Sequence, residues 1–289
     1  MRIPESELIL NADGSIYHLN LLPEDLASTI ITVGDPERVA HVSRYFDCIE
    51  LNKGKREFVA HTGLLAGKRI TVISTGIGTD NIDIVLNELD ALVNINLKTR
   101  ETKEKLTSLR IIRIGTSGAI QPEIGVDSFL VSELAIGFDN LLHFYQSKPI
   151  QDEALQNAFI KHTNWYKNKS VPYVVKGNAE LIKMLSSDGT IPGFTATNVG
   201  FYGPQGRQLR ISPQDIELND KLASFNYFGR KITNLEMETS GIYGLSNLLG
   251  HKAVSLNCIL ANRPKGVFSK NPSKSVDSLI RYTLEKLVS

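Results

Sequence analysis

Apolar and polar residues follow one another in two distinct periods along the chain. Runs rich in β-branched residues, typical of buried strands, lie at residues 29–33, 70–74, 110–114, 129–135, 173–176, 194–199, 231–235 and 253–260. Six segments have apolar residues at helical spacing, at residues 36–46, 81–94, 151–166, 213–225, 240–249 and 275–287. This alternation of strands and helices predicts an α/β protein, a three-layer α/β/α sandwich around a central sheet.

The sequence shows no sign of a domain boundary. Its 289 residues contain no internal repeat and no Pro-, Gly- or Ser-rich linker long enough to separate two domains. Residues 96–108 are charged and irregular, so we interpret them as a surface excursion before the strand at 110–114. We therefore predict a single domain over residues 1–289.

The charge balance argues against nucleic acid or a membrane as a partner. Thirty-two Lys and Arg residues oppose 31 Asp and Glu residues, a formal net charge of +1 that creates no global field. No stretch approaches the ~18 apolar residues of a membrane-spanning helix, and no apolar leader precedes the first strand. The two cysteines, Cys48 and Cys258, form no disulfide framework, and Cys258 lies in an apolar run typical of a buried free thiol. We expect a cytoplasmic protein that binds anions only through local arginines.

Turns that are rich in glycine or charge follow four predicted strands, at residues 34–38, 74–78, 113–121 and 259–263. Glycine lets backbone N–H groups approach an anion closely, as a phosphate-binding loop requires. Position 81 is Asn where a dinucleotide-binding motif needs a third glycine, and no Gly-x4-Gly-Lys-Ser/Thr sequence occurs. Arg38 and Arg113 stand beside two of the turns, and Arg56 lies in another charged segment. Each arginine alone would indicate a surface ion pair, but the three together indicate an anion-binding site.

The stretch at residues 234–239 carries two carboxylates at the end of an apolar run. Glu236 and Glu238 are two positions apart, so their side chains point the same way on an extended strand. Such a pair can hold a vicinal diol. The alternative is a helix start, in which the carboxylates lie near the positive end of the helix that follows. The residues alone leave both interpretations open.

In combination, these motifs resemble the nucleoside phosphorylase-I family, and most of all its uridine-cleaving members. The resemblance extends from about Tyr17 to Leu287 and is specific in the combination of motifs rather than in any single one. It implies a single domain with a central mixed β-sheet. It also implies a homo-oligomer that is at least a dimer, with a hexamer as the alternative.

The family resemblance further implies which residues bind the phosphate and the sugar. Inorganic phosphate would be held by Gly34, Arg38, Arg56, Arg113 and Thr116, with Arg56 supplied by a neighbouring subunit. Glu238 would bind the 2′- and 3′-hydroxyls of ribose, and Met237 would pack beneath the sugar. His18, again from the neighbour, would bind the 5′-hydroxyl, although on its own it would indicate only a surface histidine.

The base is expected to contact residues 201–207. Uracil presents two carbonyls around an N3–H, and the amide of Gln205 can both donate and accept hydrogen bonds. Arg207 can donate to a carbonyl that becomes anionic as the glycosidic bond breaks, and Phe201 can stack on the base. The alternative interpretation is a Gly/Pro turn with an arginine that faces solvent.

A second position favours a pyrimidine over a purine. Purine-cleaving relatives typically place an Asp after the strand that corresponds to residues 253–260, where its carboxylic acid can protonate purine N7. Asn262 and Arg263 stand there in this chain. Arg263 cannot act as a general acid at neutral pH, but it can stabilise a departing pyrimidine anion or order the loop of Gln205 and Arg207.

The resemblance therefore implies a pentosyltransferase of pyrimidine salvage, which converts uridine and phosphate reversibly to uracil and ribose 1-phosphate. Arg113, Arg207 and Glu238 would be its catalytic residues. Phosphate is expected as co-substrate with no cofactor, and no metal is expected because the six histidines lack ligand spacing. The alternatives are a purine nucleoside phosphorylase or a nucleosidase of the same fold, and a non-catalytic nucleoside-binding or storage protein.

One departure from the family pattern concerns a monovalent cation. Residues 79–81 read Thr-Asp-Asn where many bacterial relatives have Gly-Pro-Ser. Some relatives use that Ser, with a Glu that matches Glu57, to bind a monovalent cation between subunits. The sequence leaves cation binding open, and the long excursion at residues 96–108 leaves the hexamer open too.

Overall fold

A mixed β-sheet forms the centre of the protein, whose computed structural model describes residues 2–289. Within these residues, eleven strands belong to the sheet and two form a separate short pair. The strands are β1 (Thr29–Val33), β2 (Cys48–Lys55), β3 (Phe58–Leu65), β4 (Lys68–Ser74), β5 (Ile95–Asn96), β6 (Glu101–Thr102), β7 (Arg110–Ala119), β8 (Phe129–Gly137), β9 (Tyr173–Lys176), β10 (Thr190–Thr197), β11 (Asn234–Glu236), β12 (Lys252–Asn262) and β13 (Val267–Phe268).

Every predicted strand and helix overlaps an observed element, although several ends differ. The α-helices are α1 (Pro36–Ser43), α2 (Thr79–Asn94), α3 (Glu153–Thr163), α4 (Ala179–Leu185), α5 (Leu218–Ser224), α6 (Thr239–Leu249) and α7 (Pro272–Val288). Short 3-10 turns lie at Pro23–Asp25, Leu141–Phe144, Lys148–Ile150 and Gly203–Gln205. The helix predicted at residues 213–225 begins only at Leu218, and the strand predicted at 231–235 begins only at Asn234.

The sheet combines parallel and antiparallel pairs. β1 pairs in parallel with β4 and β7, whereas β2, β3 and β4 follow one another as antiparallel neighbours. β12 pairs in parallel with β7 and antiparallel with β8, which closes β7, β12, β8, β10 and β11 into a five-stranded barrel. The predicted α/β class with a central mixed sheet is confirmed. That the whole chain forms a single domain stays a prediction.

Alternate residues of the central strands face two different apolar clusters. Ile30 of β1 and Ile111 of β7 pack in the cluster that contains α2 and α6. Their neighbours Ile31 and Ile112 pack in the cluster that contains α1 and α7. Since side chains along a strand point to opposite faces, helices cover both faces of the sheet and give it three layers.

The hairpin β2–β3 and helix α4 were not predicted. β2 is mostly exposed and pairs with β3 alone, so it lacks the apolar run by which the other strands were recognised. Residues 96–108 are mostly exposed, as expected, and contain the short strand β6. Cys48 is exposed and Cys258 is buried, and both are free thiols. No helix within residues 2–289 has both the length and the apolar character needed to cross a membrane.

Candidate active site

A cavity of about 760 Å³ opens where β1, β4 and β7 end. These strands are parallel to one another, so their carboxyl ends meet at one edge of the sheet, where α/β proteins bind their ligands. Gly34 follows β1, Gly76 follows β4, and Thr116 lies near the end of β7; all three line the cavity. Nine of the twelve site residues predicted from the sequence line it, namely Gly34, Arg38, Arg113, Thr116, Phe201, Gln205, Arg207, Met237 and Glu238.

Arg113 is buried and its guanidinium contacts both carboxylates of the 234–239 stretch. Nη2 lies 2.5 Å from Glu238 Oε2 and 3.2 Å from Glu236 Oε2. Nη1 donates to Asn257 Oδ1 at 3.0 Å. Burial acts to lower the pKa of Arg113, but the neighbouring Glu236 and Glu238 outweigh it and raise the pKa above its usual value. The site therefore contains a permanent buried cation.

Glu236 and Glu238 have different partners, although they are close in sequence. Glu236 accepts from the backbone N–H groups of Glu238 and Thr239 at 3.0 Å each, and from the hydroxyl of Thr197 at 2.7 Å. Glu236 thus caps the start of α6, as the second interpretation of residues 234–239 expected of carboxylates at a helix start. Glu238 lines the cavity and accepts from Gly78 N at 2.9 Å. Burial raises the pKa of Glu238, whereas Arg113 opposes that rise.

Arg38 supplies a positive charge without a carboxylate partner. It lies on α1, and Nη1 is 3.5 Å from the carbonyl oxygen of Ile114. Within residues 2–289, no carboxylate oxygen lies within 4.0 Å of its guanidinium. Burial, and next the charge of Arg113, lower the pKa of Arg38. A bound anion beside Thr116 and Gly34 would offset this charge, as a phosphate site requires.

The loop of Phe201, Gln205 and Arg207 forms another part of the cavity wall. Arg207 Nη1 donates to Gln205 Oε1 at 2.6 Å and to the carbonyl of Phe201 at 2.7 Å, and its guanidinium lies 3.8 Å from the Phe201 ring centre. Arg263 does not line the cavity but donates to the backbone carbonyl of Gln205 at 3.1 Å. Burial, and next the charge of Arg263, lower the pKa of Arg207 to about 10, so Arg207 is still charged at neutral pH.

His18 and Arg56 lie outside the cavity formed by their own chain. His18 Nδ1 is 2.6 Å from Glu88 Oε1, in a separate depression. Arg56 is exposed in the turn between β2 and β3, with a positive φ of 57°. Both approach Tyr17, whose ring centre is 4.8 Å from the His18 ring centre and 6.0 Å from the Arg56 guanidinium. The two residues thus share one surface patch.

Asn262, which stands with Arg263 after the stretch 253–260, uses its whole side chain to hold a loop. Its Nδ2 donates to the carbonyls of Gln121 at 3.0 Å and Ile124 at 2.7 Å. Its Oδ1 accepts from Lys265 N at 2.9 Å. The side chain is buried and offers no acid to a ligand.

A family model described as the phosphorylase superfamily matches residues 28–280. The chain belongs to this superfamily. It is 29% identical over 280 residues to the uridine phosphorylase of Haemophilus influenzae, and the alignment covers 95% of this chain and 94% of that one. It is 28% identical over 271 residues to the uridine phosphorylase of Thermococcus kodakarensis, and this alignment covers 91% of this chain and 83% of that one.

A solved structure with the same fold is that of a Trypanosoma brucei nucleoside phosphorylase, described as showing uridine phosphorylase activity. The TM-score is 0.88 at 30% identity, and the alignment covers 98% of this chain and 99% of that one. A purine nucleoside phosphorylase of the DeoD type from Buchnera aphidicola is 23% identical over 278 residues, and the alignment covers 95% of this chain and all of that one. The superfamily therefore contains enzymes for both classes of base.

Several residues of the candidate site were missed in the sequence. Gly115 lies under the Arg113 guanidinium, where an added Cβ would be 1.8 Å from Nη1. Asn257 and Ser255, which contact Arg113, interrupt an otherwise apolar strand, and so does Ser117 on β7. Polar side chains inside a strand that must be buried were the signal that could have revealed them.

Residues 2–289 contain no group of three His, Cys, Asp or Glu side chains placed to hold a metal ion. Glu57 lines the cavity, and Asn81 lines it as well. Whether they bind a monovalent cation between subunits stays open, and the independence from metals and cofactors stays a prediction.

Proposed function

We propose that this phosphorylase catalyses the reversible phosphorolysis of uridine, which yields uracil and ribose 1-phosphate in pyrimidine salvage. One observation carries the proposal: a single cavity is lined by an unpaired arginine, a buried carboxylate and a glutamine–arginine pair. These are Arg38, Glu238, and Gln205 with Arg207. They match the three parts of the reacting system, which are the phosphate, the ribose diol and the pyrimidine edge.

The reaction forms a bond from a phosphate oxygen to C1′ and breaks the bond from C1′ to N1 of uracil. Arg38 and Thr116 bind the phosphate, with the charge of Arg113 nearby. The sugar becomes cationic in the transition state, and the phosphate stabilises that cation. The electron pair of the broken bond moves into the uracil ring, where Gln205 and Arg207 donate to the carbonyl oxygens. Orientation and fixed charges therefore supply the catalysis without a covalent intermediate.

Glu238 orients the sugar. Each carboxylate oxygen can accept more than one hydrogen bond, so Glu238 can bind the ribose hydroxyls while it keeps Gly78 N and Arg113 as partners. Arg113 and the backbone N–H of Gly78 hold the carboxylate in place. Its position is set before the substrate arrives, which lowers the entropic cost of reaching the transition state.

The pyrimidine assignment is supported by the hydrogen bonds of Asn262 as well as by the uridine phosphorylase relatives. Purine cleavage gains from an acid that protonates N7, and Asn262 neither is an acid nor has a free amide. A uracil anion is instead stabilised by a cation. Arg207 provides that cation, and Arg263 fixes the backbone of Gln205 beside it.

The test is base release from a panel of uridine, 2′-deoxyuridine, thymidine, inosine and adenosine, each with and without inorganic phosphate. We expect uracil from uridine only with phosphate, and ribose 1-phosphate in equal amount. Equal release without phosphate would contradict phosphorolysis and indicate a nucleosidase. Inosine cleaved as fast as uridine would contradict the pyrimidine assignment. Binding of uridine without any cleavage would indicate a storage protein.

A further inference from the structure

The strands of the five-stranded barrel beside the cavity carry buried polar side chains as well as apolar ones. Each of its strands contributes at least one side chain to a hydrogen-bonded chain, and all but the two ends are completely buried. The members are Arg113 and Ser117 of β7, Asn257 of β12, Ser132 of β8, Thr195 of β10 and Asn234 of β11. The chain begins and ends at the cavity, because Arg113 and Ser117 both line it.

The first half of this hydrogen-bond chain runs from Arg113 to Thr195. Arg113 Nη1 is 3.0 Å from Asn257 Oδ1, and Asn257 Nδ2 is 3.4 Å from Ser132 Oγ. Ser132 Oγ is 2.6 Å from Thr195 Oγ1. An arginine can only donate, so Asn257 must present its oxygen to Arg113 and its amide N–H to Ser132. The single proton of Ser132 is then free to be donated to Thr195.

The second half continues in the same direction. Thr195 accepts from Ser132 and has one proton of its own, which it donates to Asn234 Oδ1 at 2.9 Å. This places Asn234 Nδ2 toward Ser117, 3.0 Å from its Oγ. Arg113 orients Asn257, and Asn234 Oδ1 also accepts from Thr233 Oγ1 at 2.8 Å. One common direction satisfies every hydrogen bond around the barrel, and such aligned chains strengthen one another.

The Ser117 hydroxyl accepts a hydrogen bond from Asn234 of the barrel and still has its own proton to donate. Its side chain lines the cavity and is 9% exposed. Within residues 2–289, no acceptor lies within hydrogen-bond distance of Ser117 Oγ, since its one side-chain partner is the donating amide of Asn234. A buried hydroxyl with an unused proton at a cavity wall takes its acceptor from the cavity, where a ligand oxygen can replace water.

We propose that Ser117 is a further ligand-binding residue, whose hydroxyl donates a hydrogen bond to an oxygen of the bound phosphate or nucleoside. The proposal rests on the proposed function, because both place the reactants in this cavity. Phosphate and nucleoside offer the same acceptor chemistry, and kinetics with each substrate varied separately distinguishes the two sources.

The first experiment compares Ser117→Ala with the wild type. We expect about a tenfold higher KM for whichever substrate carries the acceptor oxygen, with a smaller change in the KM of the other. Ser246→Ala is the matched control, because it removes another buried hydroxyl, on α6, that has no hydrogen-bond partner within residues 2–289. If Ser117→Ala is folded and its two KM values equal those of Ser246→Ala, the proposal is wrong.

The direction of the hydrogen bonds gives a second test, which keeps Ser117 in place. In Asn234→Asp, Thr195 still donates to one carboxyl oxygen. The second carboxyl oxygen replaces the amide nitrogen that faces Ser117, and its protonation changes with pH. The protonated acid donates to Ser117 as the amide does. The ionised acid accepts the Ser117 proton and withdraws it from the ligand. We therefore expect KM of Asn234→Asp to rise with pH toward the value of Ser117→Ala.

The double variant Ser117→Ala, Asn234→Asp separates this effect from other titrations. Arg113, Glu236 and Glu238 are charged groups of the same barrel end, and they are present in both the single and the double variant. We expect the pH-dependent rise in KM to disappear in the double variant. A rise that persists without Ser117 would overturn the proposed direction, and so would Asn234→Asp kinetics equal to wild type at every pH.

Calorimetric binding of phosphate and of uridine to the same variants distinguishes this proposal from the proposed function. If the wild type binds either ligand but does not cleave uridine, phosphorolysis fails, while weaker binding to Ser117→Ala still supports the donor role. If the wild type cleaves uridine and Ser117→Ala binds both ligands normally, phosphorolysis stands and the donor role fails. A wild type that binds neither overturns both.

Discussion

Arg113 and the two carboxylates at its guanidinium depend on one another. Burial disfavours the charged forms of Arg113 and Glu238, and it raises the pKa of Glu238. The arginine compensates both carboxylates through one nitrogen, Nη2, and uses the other for Asn257. Removing Arg113 would therefore leave uncompensated buried charge, which costs several kcal/mol. Variants of Glu238 are the cleaner probe of the sugar site.

In Glu238→Gln we expect kcat/KM for uridine to fall roughly ten- to hundredfold, the range for a hydrogen bond to a charged group. The neutral amide binds the ribose hydroxyls less strongly and is held less firmly by Arg113. The loss should be smaller with 2′-deoxyuridine, which lacks one of the hydroxyls. Steady-state kinetics with both substrates checks this expectation, and equal losses would remove Glu238 from the 2′-hydroxyl.

Single residues were predictable from the sequence where they stand in short local motifs. Arg38, Gln205 and Glu238 follow strands whose apolar runs are plain, and the structure brings them to one cavity. The role of Glu236 was not predictable, because a helix cap and a diol-binding pair have the same sequence. Ser117 was missed because its hydrogen-bond partner, Asn234, is 117 positions away and meaningful only once the barrel closes.

At the scale of single elements, β7 needs a glycine at the position where Arg113 folds back over the strand. A Cβ at Gly115 would be 1.8 Å from Arg113 Nη1 and 2.3 Å from its Cζ, so the guanidinium would have to move. Its hydrogen bonds to Glu238 and Asn257 would be lost with that movement. The backbone of β7 therefore helps to position the buried charge of Arg113.

We expect Gly115→Ala to lose about 2–4 kcal/mol of transition-state stabilisation, measured as kcat/KM, because Arg113 no longer holds Glu238. Gly125→Ala is a matched control, since its Cβ would meet only Ser128 Oγ at an ordinary 3.6 Å. Thermal melting of both variants shows whether they are folded. A folded Gly115→Ala enzyme with wild-type kcat/KM would show that the position of Arg113 is unimportant.

Strands and helices could be predicted from the sequence where at least one of their faces is buried along its whole length. The central strands β1, β7 and β12 meet this condition and were found close to their observed positions. The hairpin β2–β3 was missed because β2 takes its place through pairing with β3 rather than through an apolar run. Barrel closure was also beyond prediction, since β12 pairs with β7 although β7 ends at Ala119 and β12 begins only at Lys252.

At the scale of the whole molecule, one surface patch argues for shared sites. His18 and Arg56 both approach the ring of Tyr17, and neither lines the cavity of its own chain. A phosphate bound by Arg38 within one chain keeps an open side. An arginine from a neighbouring subunit would add a bidentate donor there and exclude water. We therefore expect an oligomer of at least two subunits in which this patch completes the neighbour's site.

Mixing two inactive variants tests this arrangement. Arg56→Ala and Arg38→Ala remove one arginine each without leaving a buried carboxylate unpaired. With shared sites, a mixed dimer has one site that lacks both arginines and one that has both. Random exchange of equal amounts should restore about a quarter of wild-type activity, since half of the dimers are mixed and each has one working site.

Arg281→Ala, which removes an exposed arginine of α7, controls for the loss of surface charge. If subunits exchange, as native mass spectrometry can verify, and activity does not return, the sites are not shared and Arg56 acts within its own chain or not at all.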